Sequence, residues 1–170
     1  MEDIEKKKTA GGKFLTFFLG KEEYGLEILK VHEIIGIVPI TAVPRTPAYL
    51  PGIINLRGKI IPVMDIRSKF EMTKVKQTEQ TCIIIVQAQG IQAGIIVDRV
   101  SEVLNIVSEH IENPPSFGAG VNTEYILGIG KSDGKIKLLL DLDKIITDND
   151  ITHLNLSEFQ EEHKIRDKAA

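Results

Sequence analysis

Tryptophan is absent from this 170-residue chain, and three tyrosines with six phenylalanines hold the aromatic content to 5%. So few aromatic faces leave little on which the bases of a single strand could stack. The one cysteine, Cys82, rules out an internal disulfide and any Cys/His metal cluster. It opens the apolar run 82–86 (CIIIV), so a buried, inert thiol is expected there. His32, His110, His153 and His163 lie far apart, with no second histidine at ligand spacing, so no metal site is expected. Nor does any apolar stretch approach the roughly 18 residues that span a bilayer. Residues 1–13 mix three acids with four bases and contain no apolar core, which excludes a signal peptide. A reduced, cytoplasmic compartment follows as the expectation. Charge of one sign is lacking too: residues 14–140 carry 13 acids and 13 bases, and only 141–170 lean acidic, with eight acids against four bases. Without a basic face, general binding to a phosphate backbone is not expected.

What the chain has in quantity is β-branched residues: 26 Ile, 11 Val and 10 Thr. Their stiff side chains favour strands over helices. Two segments offset by 69 residues also match. Residues 24–38 read YGLEILKVHEIIGIV and residues 93–107 read AGIIVDRVSEVLNIV, with Gly25/Gly94, Val31/Val100, Glu33/Glu102, Ile37/Ile106 and Val38/Val107 identical. A second pair is offset by 76: residues 52–66 (GIINLRGKIIPVMDI) against 128–142 (GIGKSDGKIKLLLDL), sharing Gly52/Gly128, Ile53/Ile129, Gly58/Gly134, Lys59/Lys135, Ile60/Ile136 and Asp65/Asp141. The chain is therefore read as two halves of one plan, about 14–70 and 80–147; two copies make a pseudo-symmetric domain rather than a solenoid.

Each half predicts a hairpin (apolar runs 14–19 and 81–86, each followed by a polar turn and a second run), then a third strand near 34–40 or 103–107. A Pro/Gly loop and a closing hairpin follow, turning at Arg57-Gly58 and at Asp133-Gly134. Pro62 suggests that its strand is an edge or is bulged. Short helices are expected after Asp65 and Asp141, a polar linker over 71–80, and a capped helix from Ser157 within 154–170. Strands of this length and spacing suggest two small barrels, which remove exposed sheet edges.

No catalytic arrangement emerges. Gly128-Ile129-Gly130-Lys131 resembles the start of a dinucleotide loop, but no long helix follows, and its glycines match a hairpin in the other half. No Ser or Cys is paired with a His base, and no carboxylate pair stands out. Neither an enzyme activity nor a cofactor is expected. The duplication then separates residues the fold requires from residues added for another purpose. Gly25, Gly52, Gly58 and Asp65 recur, which favours turns, close packing and capping. Glu33 recurs as Glu102, which leaves a structural hydrogen bond and a functional contact equally open. Arg57 does not recur: its counterpart is Asp133, and Asp-Gly suits a tight hairpin turn better than Arg-Gly. A long cation there is either a solvated surface residue or a contact. Phe117, an aromatic in a Pro-, Ser- and Gly-rich loop, either plugs the core or anchors a partner.

Residues 14–28 (FLTFFLGKEEYGLEI), 31–34 (VHEI), 51–67 (PGIINLRGKIIPVMDIR) and 125–128 (YILG) resemble the CheW family of bacterial chemotaxis coupling proteins, over about 14–146. The resemblance implies a mainly β fold of two SH3-like five-stranded barrels and a non-enzymatic adaptor. Such an adaptor bridges the cytoplasmic tips of methyl-accepting chemotaxis receptors to the regulatory domain of the histidine kinase CheA. By the same resemblance, receptor contact falls in a groove between the barrels at Val31, Glu33, Ile34 and Arg57, and kinase contact at a barrel end, placed at Phe117 and Glu112. The implied location is the cytoplasm, at receptor arrays on the inner face of the membrane, without membrane insertion. On this reading 1–13 is a flexible tail, 14–153 the family domain and 154–170 a C-terminal helix. An SH3-like module that binds nucleic acid or a small ligand is the alternative from another class.

Overall fold

The computed structural model describes residues 10–115, 123–147 and 150 of the chain. Phe117 and the expected helix over 154–170 lie outside the described residues. Among the described residues eleven strands form two sheets, joined by two one-turn α-helices and two 3-10 turns. The mainly β expectation therefore holds.

The first hairpin is β1 (Gly12–Leu19) and β2 (Glu22–Glu27). In β1, Phe14, Leu15, Thr16 and Phe17 are all buried, so both faces of the strand are covered and the usual alternation disappears. β3 (Val31–Gly36) alternates half-buried with exposed side chains, as a strand with one covered face does. It runs over Val31–Gly36 rather than the expected 34–40, and Ile37, Val38 and Ile40 pack against the core outside any strand. β4 (Gly52–Leu56) and β5 (Lys59–Asp65) form the closing hairpin, followed by α1 (Ile66–Lys69). The second repeat supplies β6 (Cys82–Ala88), β7 (Ile91–Val97), β8 (Arg99–Ile106), the two-residue β9 (Ile111–Glu112), β10 (Ile126–Ser132), β11 (Lys135–Leu140) and α2 (Leu142–Ile145). Cys82 is half-buried at the mouth of β6 rather than fully enclosed, because it precedes the buried run 83–86.

Asp65 caps α1: its Oδ1 accepts from the Arg67 and Ser68 amides at 3.1 and 3.4 Å. Asp141 accepts from the Asp143 amide at 3.1 Å in the same way. The recurring aspartates are thus helix starts. A further repeat escaped the two matched windows. Tyr49 and Tyr125 are also 76 apart, and their carbonyls accept from the Asp65 and Asp141 amides, both at 2.8 Å.

The sheets are ordered β8-β1-β2-β11-β10-β9 and β3-β6-β7-β5-β4. Under the repeat offsets these are one order, except that each hairpin sits with the later strands of the other repeat. The compact units follow the sheets: among the described residues, those of 10–31 and 98–145 make one, and those of 32–97 with 146, 147 and 150 the other. The units thus cut across the sequence halves 14–70 and 80–147. In each sheet the junction is a parallel pair with equivalent register, Leu139 opposite Gly25 and Val63 opposite Gly94. Each unit has its own apolar core. Phe14, Ile106, Ile111 and Leu139 fill one; Ile54, Ile61, Val63, Ile83 and Ile85 fill the other.

β5 is an interior strand, contrary to what Pro62 suggested. Ile53, opposite Pro62, turns its own N–H and C=O to Thr41 at 2.9 and 2.8 Å, so Ile53 and Pro62 form a non-hydrogen-bonded pair. On the other side the ladder to β7 starts only at Val63. The missing N–H therefore costs no sheet hydrogen bond.

Gly25 and Gly94 recur because the parallel junctions are tight. A Cβ on Gly25 would lie 2.8 Å from Leu139 Cδ2, and one on Gly94 would lie 2.7 Å from Ile83 Cγ2. Both side chains are fully buried, but the Leu139 methyl ends a flexible side chain, whereas the Ile83 methyl is fixed by β-branching. Gly94→Ala should therefore destabilise by about 1–3 kcal/mol, the usual cost of overpacking, and Gly25→Ala by less. Urea unfolding of the two variants checks the order; equal losses would show that the Ile83 methyl is not the obstacle.

Candidate functional site

The turn between β4 and β5 has φ +53° at Arg57 and +86° at Gly58. Gln89-Gly90 and Asp133-Gly134 repeat that pattern, with φ +52° and +75°, and +51° and +73°. Two successive positive φ values define the tight hairpin turn that Asn or Asp followed by Gly prefers. Arg57 thus occupies a left-handed position that costs an ordinary side chain about 1 kcal/mol or more. Locally, Asn55 supports the turn, its Oδ1 accepting from the Gly58 amide at 2.8 Å. The sequence anomaly at Arg57 is thus a backbone anomaly as well.

Arg57 Nη2 donates to Glu33 Oε2 at 2.5 Å, with the guanidinium side 68% exposed. An exposed pair of this kind adds only about 0–1 kcal/mol to stability. It does fix the direction of a long side chain above the sheet. His32 Nε2 lies 3.8 Å from the same carboxylate. Glu33 and Ile34 are neighbours on one strand and so project to opposite faces. Ile34 is 45% exposed. Among the expected receptor-contact residues, the structure joins Glu33 to Arg57, sets Ile34 on the other face of β3, and leaves Val31 half-buried at the start of that strand. Glu102, the repeat counterpart of Glu33, has a different role: its backbone amide and carbonyl bond the Thr16 hydroxyl at 3.2 and 3.0 Å. The common residue type therefore does not mark a common contact.

Glu112 lies on β9 and accepts from Lys131 Nζ at 2.7 Å, both side chains more than half exposed. Its neighbour Ile111 is buried, so β9 is anchored by one side chain and displays the next. Leu29 had drawn no notice in the sequence, yet it is 96% exposed in the 3-10 turn Ile28–Lys30. Its repeat counterpart is Asp98, and that substitution was the available signal.

A second polar group lies in the unit that holds 32–97, 146, 147 and 150. The Tyr49 hydroxyl donates to Asp150 Oδ1 at 2.6 Å, the Thr147 amide donates to Asp150 Oδ2 at 3.0 Å, and Lys69 Nζ sits 3.6 Å from Asp150 and 4.2 Å above the Tyr49 ring. Burial by itself disfavours the Asp150 carboxylate. The Tyr49 and Thr147 hydrogen bonds and the Lys69 ammonium outweigh it and hold its pKa below the usual value. The apolar cavity beside it, lined in part by Leu50, Met64 and Ile146, measures about 10 Å³. That is room for roughly one water and not for a small-molecule ligand. Among the described residues, no group of three or more acids, histidines or cysteines could hold a metal ion, and no helix is long and apolar enough to cross a membrane.

Two β-sheets that display charged and aliphatic side chains at their turns and edges make up the site. Comparison with known proteins gives the family. Residues 13–150 match the family model described as CheW-like domain. The chain is 39% identical over 144 residues to chemotaxis protein CheW of Klebsiella aerogenes, covering 85% of this chain and 87% of that protein. Identity to chemotaxis protein CheW of Treponema pallidum is 30% over 146 residues, covering 84% and 86%. The crystal structure of scaffolding protein TtCheW from Thermoanaerobacter tengcongensis superposes with a TM-score of 0.76 at 41% identity, covering 82% of this chain and 95% of that one. The chain belongs to the CheW family of chemotaxis scaffold proteins.

The Asp150 group generates a pH prediction. Because the folded pKa lies below the unfolded one, about 3.9, the group's contribution to stability is complete above that value. It is lost as pH falls from there through the lower folded pKa. Asp150→Asn should therefore lose stability at pH 7 and show a shallower decline below pH 4 than the parent. Urea melts at pH 7 and pH 3 check this; parallel pH profiles would remove the role given to Asp150.

Proposed function

We propose that this chain couples the cytoplasmic tips of chemoreceptors to the regulatory domain of the histidine kinase CheA, acting as an adaptor without chemistry of its own. The observation that carries this reading is Arg57: a cation held in a strained left-handed turn and aimed by Glu33, within a chain of the CheW family. A turn optimised only for stability would place Asp or Asn there, as Asp133 does in the other repeat.

In this reading the apolar face of a receptor helix tip docks against exposed aliphatic side chains such as Ile34, with Val31 at the edge of the contact. Arg57 and Glu33 set register by charge, contributing specificity more than affinity. Kinase contact falls to Glu112 and to Phe117. Each interface alone is modest, and simultaneous engagement in an array multiplies the avidity. The protein then works in the cytoplasm, at receptor arrays on the inner face of the membrane.

Gel filtration with light scattering tests this, mixing the chain first with a CheA regulatory domain and then with a receptor-tip fragment. A complex with each partner is expected. Arg57→Glu should weaken receptor binding by tenfold or more, about 1.4 kcal/mol, and leave kinase binding unchanged. No complex with either partner would end the adaptor reading. Arg57→Asn separates binding from folding. It should preserve or raise the melting temperature, since Asn suits the turn, and still lose receptor affinity. Undiminished affinity in that variant would mean that Arg57 is only a surface cation.

A further inference from the structure

Lys137 and Glu23 form a buried ion pair, Nζ to Oε1 at 2.9 Å, with side chains 6% and 9% exposed. They are direct partners across the parallel junction of β2 and β11. We infer that this pair selects which repeat each hairpin joins. The duplication leaves every hairpin two closing strands of the same plan. Joining the strand of its own repeat would build each sheet from one contiguous half, with the same strand order and register. The tight positions tolerate both choices, because Gly25 and Gly94 each meet an aliphatic residue, Leu139 or Val63, either way.

The charged positions do not. The counterpart of Glu23 is Gln92 and that of Lys137 is Ile61. Carried two residues back, the register of β5 and β7 sets Ile61 against Gln92. The observed exchange thus places Lys137 on Glu23 in one junction and leaves the uncharged Ile61 and Gln92 at the equivalent positions of the other, just before its ladder begins at Val63 and Gly94. Pairing within each repeat would place Glu23 on Ile61 and Lys137 on Gln92. Lys59, which bonds Gln92 Oε1 at 3.1 Å, stands at the turn where it could reach a carboxylate in the Gln92 position. Lys137 would have no carboxylate opposite it, only a neutral amide. A buried ion pair gains little over a well-packed apolar pair, because desolvation offsets the attraction. A buried charge stripped of its partner is costly, so the pair acts on the difference between the two pairings.

Oxidative crosslinking of the refolded full chain, in a Cys82→Ser background, reads the choice. Glu22→Cys with Ile136→Cys reports the observed pairing; Glu22→Cys with Ile60→Cys, at the register-equivalent position, reports the alternative. With the ion pair intact, monomers isolated after refolding should give the first crosslink and essentially none of the second. Glu23→Gln with Lys137→Ile copies the uncharged junction and should raise the second crosslink at least tenfold. The exchanged pair Glu23→Lys with Lys137→Glu should suppress it again. An uncharged variant that still refolds with the first crosslink alone would overturn the inference. So would one that fails to refold, since the charges would then hold the sheet together without choosing its partner.

Discussion

The parallel contact between a hairpin and a closing strand is the constraint on which the structure rests. It occurs twice, as β2 with β11 and as β7 with β5, and each time it joins segments from different repeats. Parallel strands cannot be connected by a tight turn, so the connection between them must be long. Between β2 and β11 it contains the whole of the other sheet; between β5 and β7 it contains α1 and β6. Neither core can be completed until both repeats are present, although each hairpin is local. Gly25 and Gly94 sit at these contacts because the close approach leaves no space for a β-carbon.

That frame explains how a chain with few aromatics displays specific side chains. The apolar payload is mostly aliphatic and divided between two cores, and turns and edges carry the distinctive residues. Arg57 occupies a turn whose backbone favours another residue type, and Glu33 holds it from the neighbouring strand. Glu112 stands beside a buried anchor, Ile111. Such groups are positioned by the strands beneath them while adding little to stability.

Much of this was legible in the sequence because it depends on local chemistry. The β-branched runs predicted strands, X-Gly dipeptides predicted the hairpin turns, and the recurring aspartates preceded one-turn helices that they cap. Pro62 misled, because the rule that proline marks an edge is about hydrogen bonds rather than position. An interior strand tolerates proline where the N–H would fall outside the ladder. Glu33 and Glu102 misled in the opposite sense: one identity in two repeats concealed a side-chain contact in one and a backbone bond in the other.

The sequence by itself determined the class of structure, the two-copy plan and the oddity of Arg57, since each follows from residue type, spacing or comparison of one half with the other. Tertiary structure alone decided which hairpin joins which closing strands, that Arg57 meets Glu33, and that Tyr49, Lys69 and Asp150 converge. The physical reason is that two copies of one plan offer equivalent backbone partners, strand for strand. Pairing across scores of residues is settled by side chains that differ between the copies, such as Glu23 and Lys137, and their effect is visible only when both strands are in place.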